Sequence, residues 1–348
     1  MIKLDISLLT ELTAVPGLPG REHKVAELIR SHLPSSPWEV HSDRLGNLIA
    51  HLPGDGRKVM LVAHMDEVGL IVRRISQKGF LGVERLGGAS VRALPGSRLD
   101  LWTREGRLPA FTGLLPGHLD DRGYLHLMDI YVDIGSSSRD ETERLGVRIG
   151  DGLTWASPME RSGENYVIGK ALDDRLGCLV LMTLAHNVRQ RQLGCDLYLA
   201  FVVQEETGLM GGMPVAHAVS PQVVIGVDGT LAFDTPDLQD QQSDIRLGAG
   251  PTVKLLDAIR GKGVSYVPHW ELVERIRDLA QVNDIQLQTE VITGLSTAIT
   301  PMPFAGLGIQ TAALSIPIRY HHSPVETADL RDSTRLVELL SLIVTQLV

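Results

Sequence analysis

The 348-residue chain has only two cysteines, Cys178 and Cys195. Two thiols cannot build a disulfide framework, so a reducing compartment is expected. Aromatic residues make up 4% of the chain, too few to supply stacking platforms for bases or sugar rings. Positive charge is also short: Lys plus Arg is 33 against 42 for Asp plus Glu, a formal net charge of -9. Such a surface repels phosphate backbones, which excludes a general nucleic-acid binder. No run approaches the ~20 apolar residues of a membrane-spanning helix. The opening MIKLDISLLTELTAVPG breaks its apolar positions with Lys3, Asp5 and Glu11, unlike a secretory signal. These absences point to a cytoplasmic protein with neither a membrane nor a nucleic-acid partner.

What is present is ordinary for a globular chain: 43% hydrophobic and 22% charged residues. At roughly 150 residues per domain, the length predicts about two domains. Residues 4–14 carry Leu4, Leu8, Leu9 and Leu12 on one helical stripe, and residues 21–33 read as a second helix. Strands follow in WEVHSD, NLIAHL and residues 59–63. From 69 to 163 the texture changes to short alternating runs punctuated by Gly87-Gly88, Pro95-Gly96 and Pro116-Gly117. Helix returns at 172–191, then strands at 197–203, 223–227 and 309–316, with helices at 271–282 and 333–347. The pattern is an α/β domain over 1–68 and 164–348, interrupted by a β-rich unit over 69–163.

The chemistry sits where the apolar strands end. VMLVA runs into His64-Met65-Asp66-Glu67, LYLAFVV into Gln204-Glu205-Glu206, VVIGV into Asp228-Gly229, and TAALSIPI into Arg319-Tyr320-His321-His322. Ligands bind at the carboxyl edge of open α/β sheets. Asp173-Asp174-Arg175 opens a helix, where an Asp also serves as a cap. Singly, each group reads as a turn, a cap or a solvated strand end. Jointly, at four strand ends, they would repel one another without a cation. Histidine with carboxylates suits zinc or cobalt, and carboxylates also accept manganese. Two metals sharing a carboxylate make a hydrolytic site, with a spare acid as general base.

AHMDEVGLIV, KALDDRLGC, VVQEETGLMGG, the VDG turn and RYHHSPVE together resemble the TET-type, glutamyl aminopeptidase-like family of dinuclear metallo-aminopeptidases, some of whose members carry endoglucanase or cellulase labels. The resemblance covers nearly the whole chain. It implies a three-layer α/β/α phosphopeptidase-like catalytic domain with an inserted PDZ-like dimerisation domain. It also implies self-association into dimers or dodecamers, and cleavage of peptides. Residue by residue, it makes His64 and Asp228 ligands of one metal, Glu206 and His322 ligands of the other, and Asp173 their bridge. Glu205 becomes the general base and Asp66 the acid that orients His64. His321 fills a variable position.

One segment departs from the family pattern. A GGTDA-like loop that lines the substrate site is here TGLSTA, residues 293–298, lacking the second Gly and the Asp. The stretch 233–244 is acidic, with Asp234, Asp237, Asp240 and Asp244, unlike a site that welcomes acidic side chains. Glutamyl preference is therefore not expected. The alternatives are an amidohydrolase or deacylase for a small acylated compound, or a non-catalytic assembly subunit. A glycosidase is disfavoured, since it needs paired carboxylates around a sugar. Glu67, His118, His126, His217 and His269 are read as structural or surface residues, and Cys178 as core.

Overall fold

The computed structural model describes residues 2–115, 126–191, 193–238, 243–259 and 264–347. The run VMLVAH becomes the strand Arg57–His64 at the middle of a large sheet. Its two faces enter two different cores. Val59, Leu61 and Ala63 join the core that also contains the helices Ile6–Ala14, His23–His32, Leu172–Val188, Trp270–Val282 and Leu330–Leu342. Met60 and Val62 join a second core on the opposite face, with Val215 and Ala216 from the helix Gly212–Val219. Burial on both sides explains why the central strands read as unbroken apolar runs. The result is a three-layer α/β/α arrangement.

Four central strands run parallel: Cys195–Val202, Arg57–His64, Val223–Leu231 and Gln310–Arg319. Antiparallel strands extend both edges, among them Tyr166–Gly169 and Glu326–Asp329. The chain leaves this sheet after His64 and builds a closed barrel of six short strands, beginning at Gly69–Ile75 and ending at Gly152–Trp155. The barrel has its own apolar core, including Leu70, Leu81, Leu101, Val132 and Trp155. Its one α-helix among the described residues, Arg139–Arg144, is a short segment capped by Ser138.

The sequence boundary at 163 meets a detail of pairing. Glu160–Ser162 hydrogen-bonds antiparallel to Tyr166–Gly169 and so belongs to the large sheet. The strand expected to stop at 227 continues to Leu231, because the neighbouring strand keeps pairing with it through Leu231 and Ile318. The closing helix begins earlier than expected, at Leu330, because Asp329 accepts from Arg331 N–H and caps it. No helix among the described residues is long and apolar enough to cross a membrane.

Candidate active site

Strand register brings the first pair of site residues together. Val62 lies opposite Gly226 on the adjacent parallel strand. His64 and Asp228, each two residues further on, therefore emerge side by side on one face. His64 Nε2 lies 3.6 Å from Asp228 Oδ1. Cys195–Val202 is also parallel, with Val202 opposite His64, so the turn beyond it delivers Glu205 and Glu206 to the same edge.

Asp173 and Asp174 divide the work expected of a helix start. Neither has helical backbone angles, although both belong to the first turn of Leu172–Val188. Asp174 takes the capping role: its Oδ1 accepts from Gly177 N–H at 3.1 Å, and its Oδ2 from His64 N–H at 3.2 Å. That leaves Asp173 free to face the cluster. Its two oxygens diverge toward different imidazoles. Oδ1 is 3.3 Å from His64 Nε2, and Oδ2 is 3.4 Å from His322 Nε2. His322 Nε2 is also 3.3 Å from Glu206 Oε1.

Two further acids hold the backbone of these residues. Asp66 accepts from Glu205 N–H and Glu206 N–H, each at 3.0 Å, and lies 3.5 Å from His64 Nδ1. Glu326 accepts from Asp173 N–H at 3.2 Å and His322 N–H at 2.8 Å. Asp174 and Glu326 were not legible as site residues, because nothing local distinguishes them from ordinary cap and strand acids. His321, expected at a variable position, also enters the site: its Nε2 is 3.1 Å from Asp173 Oδ2.

The electrostatics show a shortage of positive charge. No Lys or Arg forms an ion pair with Asp173, Glu205, Glu206 or Asp228 among the described residues. Burial, reinforced by neighbouring acids and opposed by His64, lifts Glu205 well above the usual carboxylate range. Burial also pushes Asp228 up to about 6, against the pull of His64, and Glu326 up to about 7, against the pull of His321. Asp173 goes the other way: burial would raise it, but His321, His322 and His64 outweigh burial and hold it well below. Burial would lower His64, yet the facing carboxylates of Asp173, Asp228 and Asp66 raise it.

The donor set fits divalent cations. Glu206 Oε1 is buried without a hydrogen-bond partner, its neighbouring imidazole nitrogen, His322 Nε2, standing 3.3 Å away. The separations of 3.3, 3.6, 3.4 and 3.3 Å between imidazole nitrogens and carboxylate oxygens exceed good hydrogen-bond lengths. Two donors that each sit ~2.0–2.2 Å from one tetrahedral ion lie about 3.3–3.6 Å apart. The donor atoms of His64, Asp173 and Glu206 lie within 4.8 Å of one another, as do those of His64, Asp174 and Asp228, and of Asp173, His321 and His322.

Asp173, Glu205, Glu206, Asp228, His321 and His322 line a cavity of about 480 Å³ that also touches Thr207, Leu209, Gly294, Leu295 and Ser296. The altered loop therefore lines the site. Asp234 lies outside that lining and is paired bidentately with Arg319, at 2.7 Å for both contacts. Asp240 and His118 fall outside the described residues. Glu67 points away from the cluster, to Lys170. His269 caps Trp270–Val282 by accepting from Leu272 N–H, and His217 is exposed on Gly212–Val219. Cys178 is fully buried, and its thiol is raised by burial first.

Residues 46–339 match the profile of the M42 glutamyl aminopeptidase family. A lysyl aminopeptidase from Pyrococcus furiosus is 35% identical over 99% of this chain and 98% of its own. The structure of an aminopeptidase from the archaeon Desulfurococcus kamchatkensis superposes with a TM-score of 0.93 at 33% identity, covering 98% of this chain and 94% of that one. A TET1 peptidase from Pyrococcus horikoshii, which can assemble into a tetrahedron or a large octahedral shell, superposes at 0.87 with 30% identity, covering 98% of this chain and 99% of that one.

Proposed function

The chain belongs to the M42 glutamyl aminopeptidase family and is an aminopeptidase, and from that premise we propose that it removes N-terminal residues from short peptides at a dinuclear metal centre. In this reading His64 and Asp228 hold one divalent cation and Glu206 and His322 the other, with Asp173 shared. The divergence of the two Asp173 oxygens toward His64 and His322 carries the assignment. Zinc and cobalt suit the mixed imidazole and carboxylate donors, and manganese is the third candidate.

Bound cations would supply Lewis acidity, activating the attacking water and polarising the scissile carbonyl. Glu205 accepts the proton released as water adds to the carbonyl carbon. It then returns a proton to the amine nitrogen as the C–N bond breaks. Asp66 fixes the His64 ring and the Glu205-Glu206 backbone. The acidic rim favours a free ammonium, which selects the amino end of a peptide. The barrel would mediate self-association into a dimer and, by analogy with the Pyrococcus horikoshii peptidase, a larger shell. The composition favours a cytoplasmic location.

Glu205→Gln tests the assignment. Turnover is expected to fall by roughly 10²–10⁴, the usual worth of a general base, with two metals per chain retained. Wild-type turnover in this variant contradicts it. The Gly294-Leu295-Ser296 lining supports a second reading, hydrolysis of small N-acyl compounds. Parallel assays on aminoacyl-nitroanilides and N-acyl amino acids separate the two readings.

A further inference from the structure

We propose that the six-stranded barrel, besides any part in self-association, is a component of the Glu206–His322 metal pole: Gly88 and the Ser90 N–H seat His322, and Gly87 lies against Glu206. The inference rests on the dinuclear reading above.

His322 has a left-handed backbone, φ 60°, which a residue with a β-carbon adopts only when its surroundings hold it there. Both of its peptide groups are held. Its N–H donates to Glu326 Oε1 at 2.8 Å, from the large sheet. Its carbonyl accepts from Ser90 N–H at 3.1 Å, from the barrel. The barrel then closes on the ring itself. A β-carbon on Gly88 would lie 2.4 Å from His322 Nδ1 and 2.8 Å from Cε1. A β-carbon on Gly87 would lie 3.0 Å from that of Glu206. Gly88 is outside the left-handed region, so space rather than backbone conformation requires glycine there. Ser157 Oγ adds a hydrogen bond to Pro324 O at 2.5 Å, tying the same loop to the chain leaving the barrel.

Among the described residues the other pole shows no such dependence. His64 and Asp228 stand on adjacent strands of the large sheet, held by Asp66, Asp173 and Asp174. The two ions should therefore bind with unequal sensitivity to the barrel. A shift of the barrel against the sheet would loosen the Glu206–His322 ion first. The glycines and Ser90 are positioning residues, acting through His322 and Glu206.

The test is calorimetric titration of metal-stripped, full-length protein with cobalt, on the wild type and single variants. Gly88→Ala is expected to weaken one of the two sites at least ~10-fold, the typical effect of disturbing residues that orient ligands, and to leave the other unchanged. Ser90→Pro should do the same by removing the N–H. It suits the backbone, since Ser90 has φ -69° and its side chain makes no capping hydrogen bond, and it keeps the test decisive if Gly88→Ala does not fold. His322→Ala should lose the same site, and adding Gly88→Ala to it should change nothing more. Gly82→Ala, whose new methyl would meet Arg74 Cβ at 3.5 Å and Arg74 O at 4.0 Å, ordinary contact distances, is the barrel control and should bind like the wild type. Two unchanged affinities in both Gly88→Ala and Ser90→Pro, with a site lost in His322→Ala, overturn the barrel's role and leave the dinuclear reading standing. A wild type that binds fewer than two ions overturns the dinuclear reading itself.

Discussion

Asp66 and Glu67 are neighbours in the chain and equally hidden, at 0% and 2% exposure, yet they enter two different buried networks. Glu67 meets ready-made cations. Lys170 Nζ lies 2.7 Å from its Oε2 and Arg175 Nη2 3.6 Å from its Oε1, while Gly17 N–H donates to Oε1 at 3.1 Å. Arg175 goes on to the carbonyls of Leu12 and Val15, so this network ties the N-terminal helix to the sheet. Asp66 joins a network of acids and imidazoles with no lysine or arginine ion-paired to it among the described residues. A cluster that brings its own countercharge is complete as folded and holds structure. A cluster that lacks it awaits charge from outside, and that shortage is what makes the edge of the sheet a site.

The contrast can be broken by experiment. Exhaustive chelation should abolish peptide hydrolysis while leaving the far-ultraviolet circular dichroism unchanged, because the Glu67 network needs no ion. Turnover that survives chelation would remove the distinction. Glu67→Gln should cost about 3–5 kcal/mol of stability by stranding a buried ammonium, read from the denaturation midpoint, with two metals still bound per folded chain. Asp66→Asn should do the reverse. Metal affinity should fall roughly 10–100-fold, since the Glu205 and Glu206 N–H groups bond separate Asp66 oxygens and an amide offers only one, while the metal-free protein should lose less stability than Glu67→Gln does. If Glu67→Gln lowers metal affinity and Asp66→Asn does not, the roles of the two acids are exchanged.

The sheet and the cluster were legible to the extent that they depend on local pattern. Doubly buried strands write themselves as VMLVA or LYLAFVV, and polar residues at their carboxyl ends mark the edge. The missing pieces depend on distant contacts. Tyr166–Gly169 and Glu326–Asp329 are short strands near one edge of the sheet that find each other across the fold, with no period long enough to announce them. Glu326 matters because it accepts from both Asp173 and His322, residues 153 and four positions away in the chain. Gly88 matters because His322 lies against it, which only the meeting of barrel and sheet reveals. The division of Asp173 from Asp174 needed backbone angles, since either acid could have been the cap.

In the proposed function, external cations supply the charge this cluster lacks. Anomalous diffraction at the cobalt or zinc edge from metal-loaded crystals tests it most directly. Two peaks are predicted, one between His64 and Asp228 and one between Glu206 and His322, both touching Asp173. No peak at the cluster, or a single peak that leaves either pair empty, contradicts it.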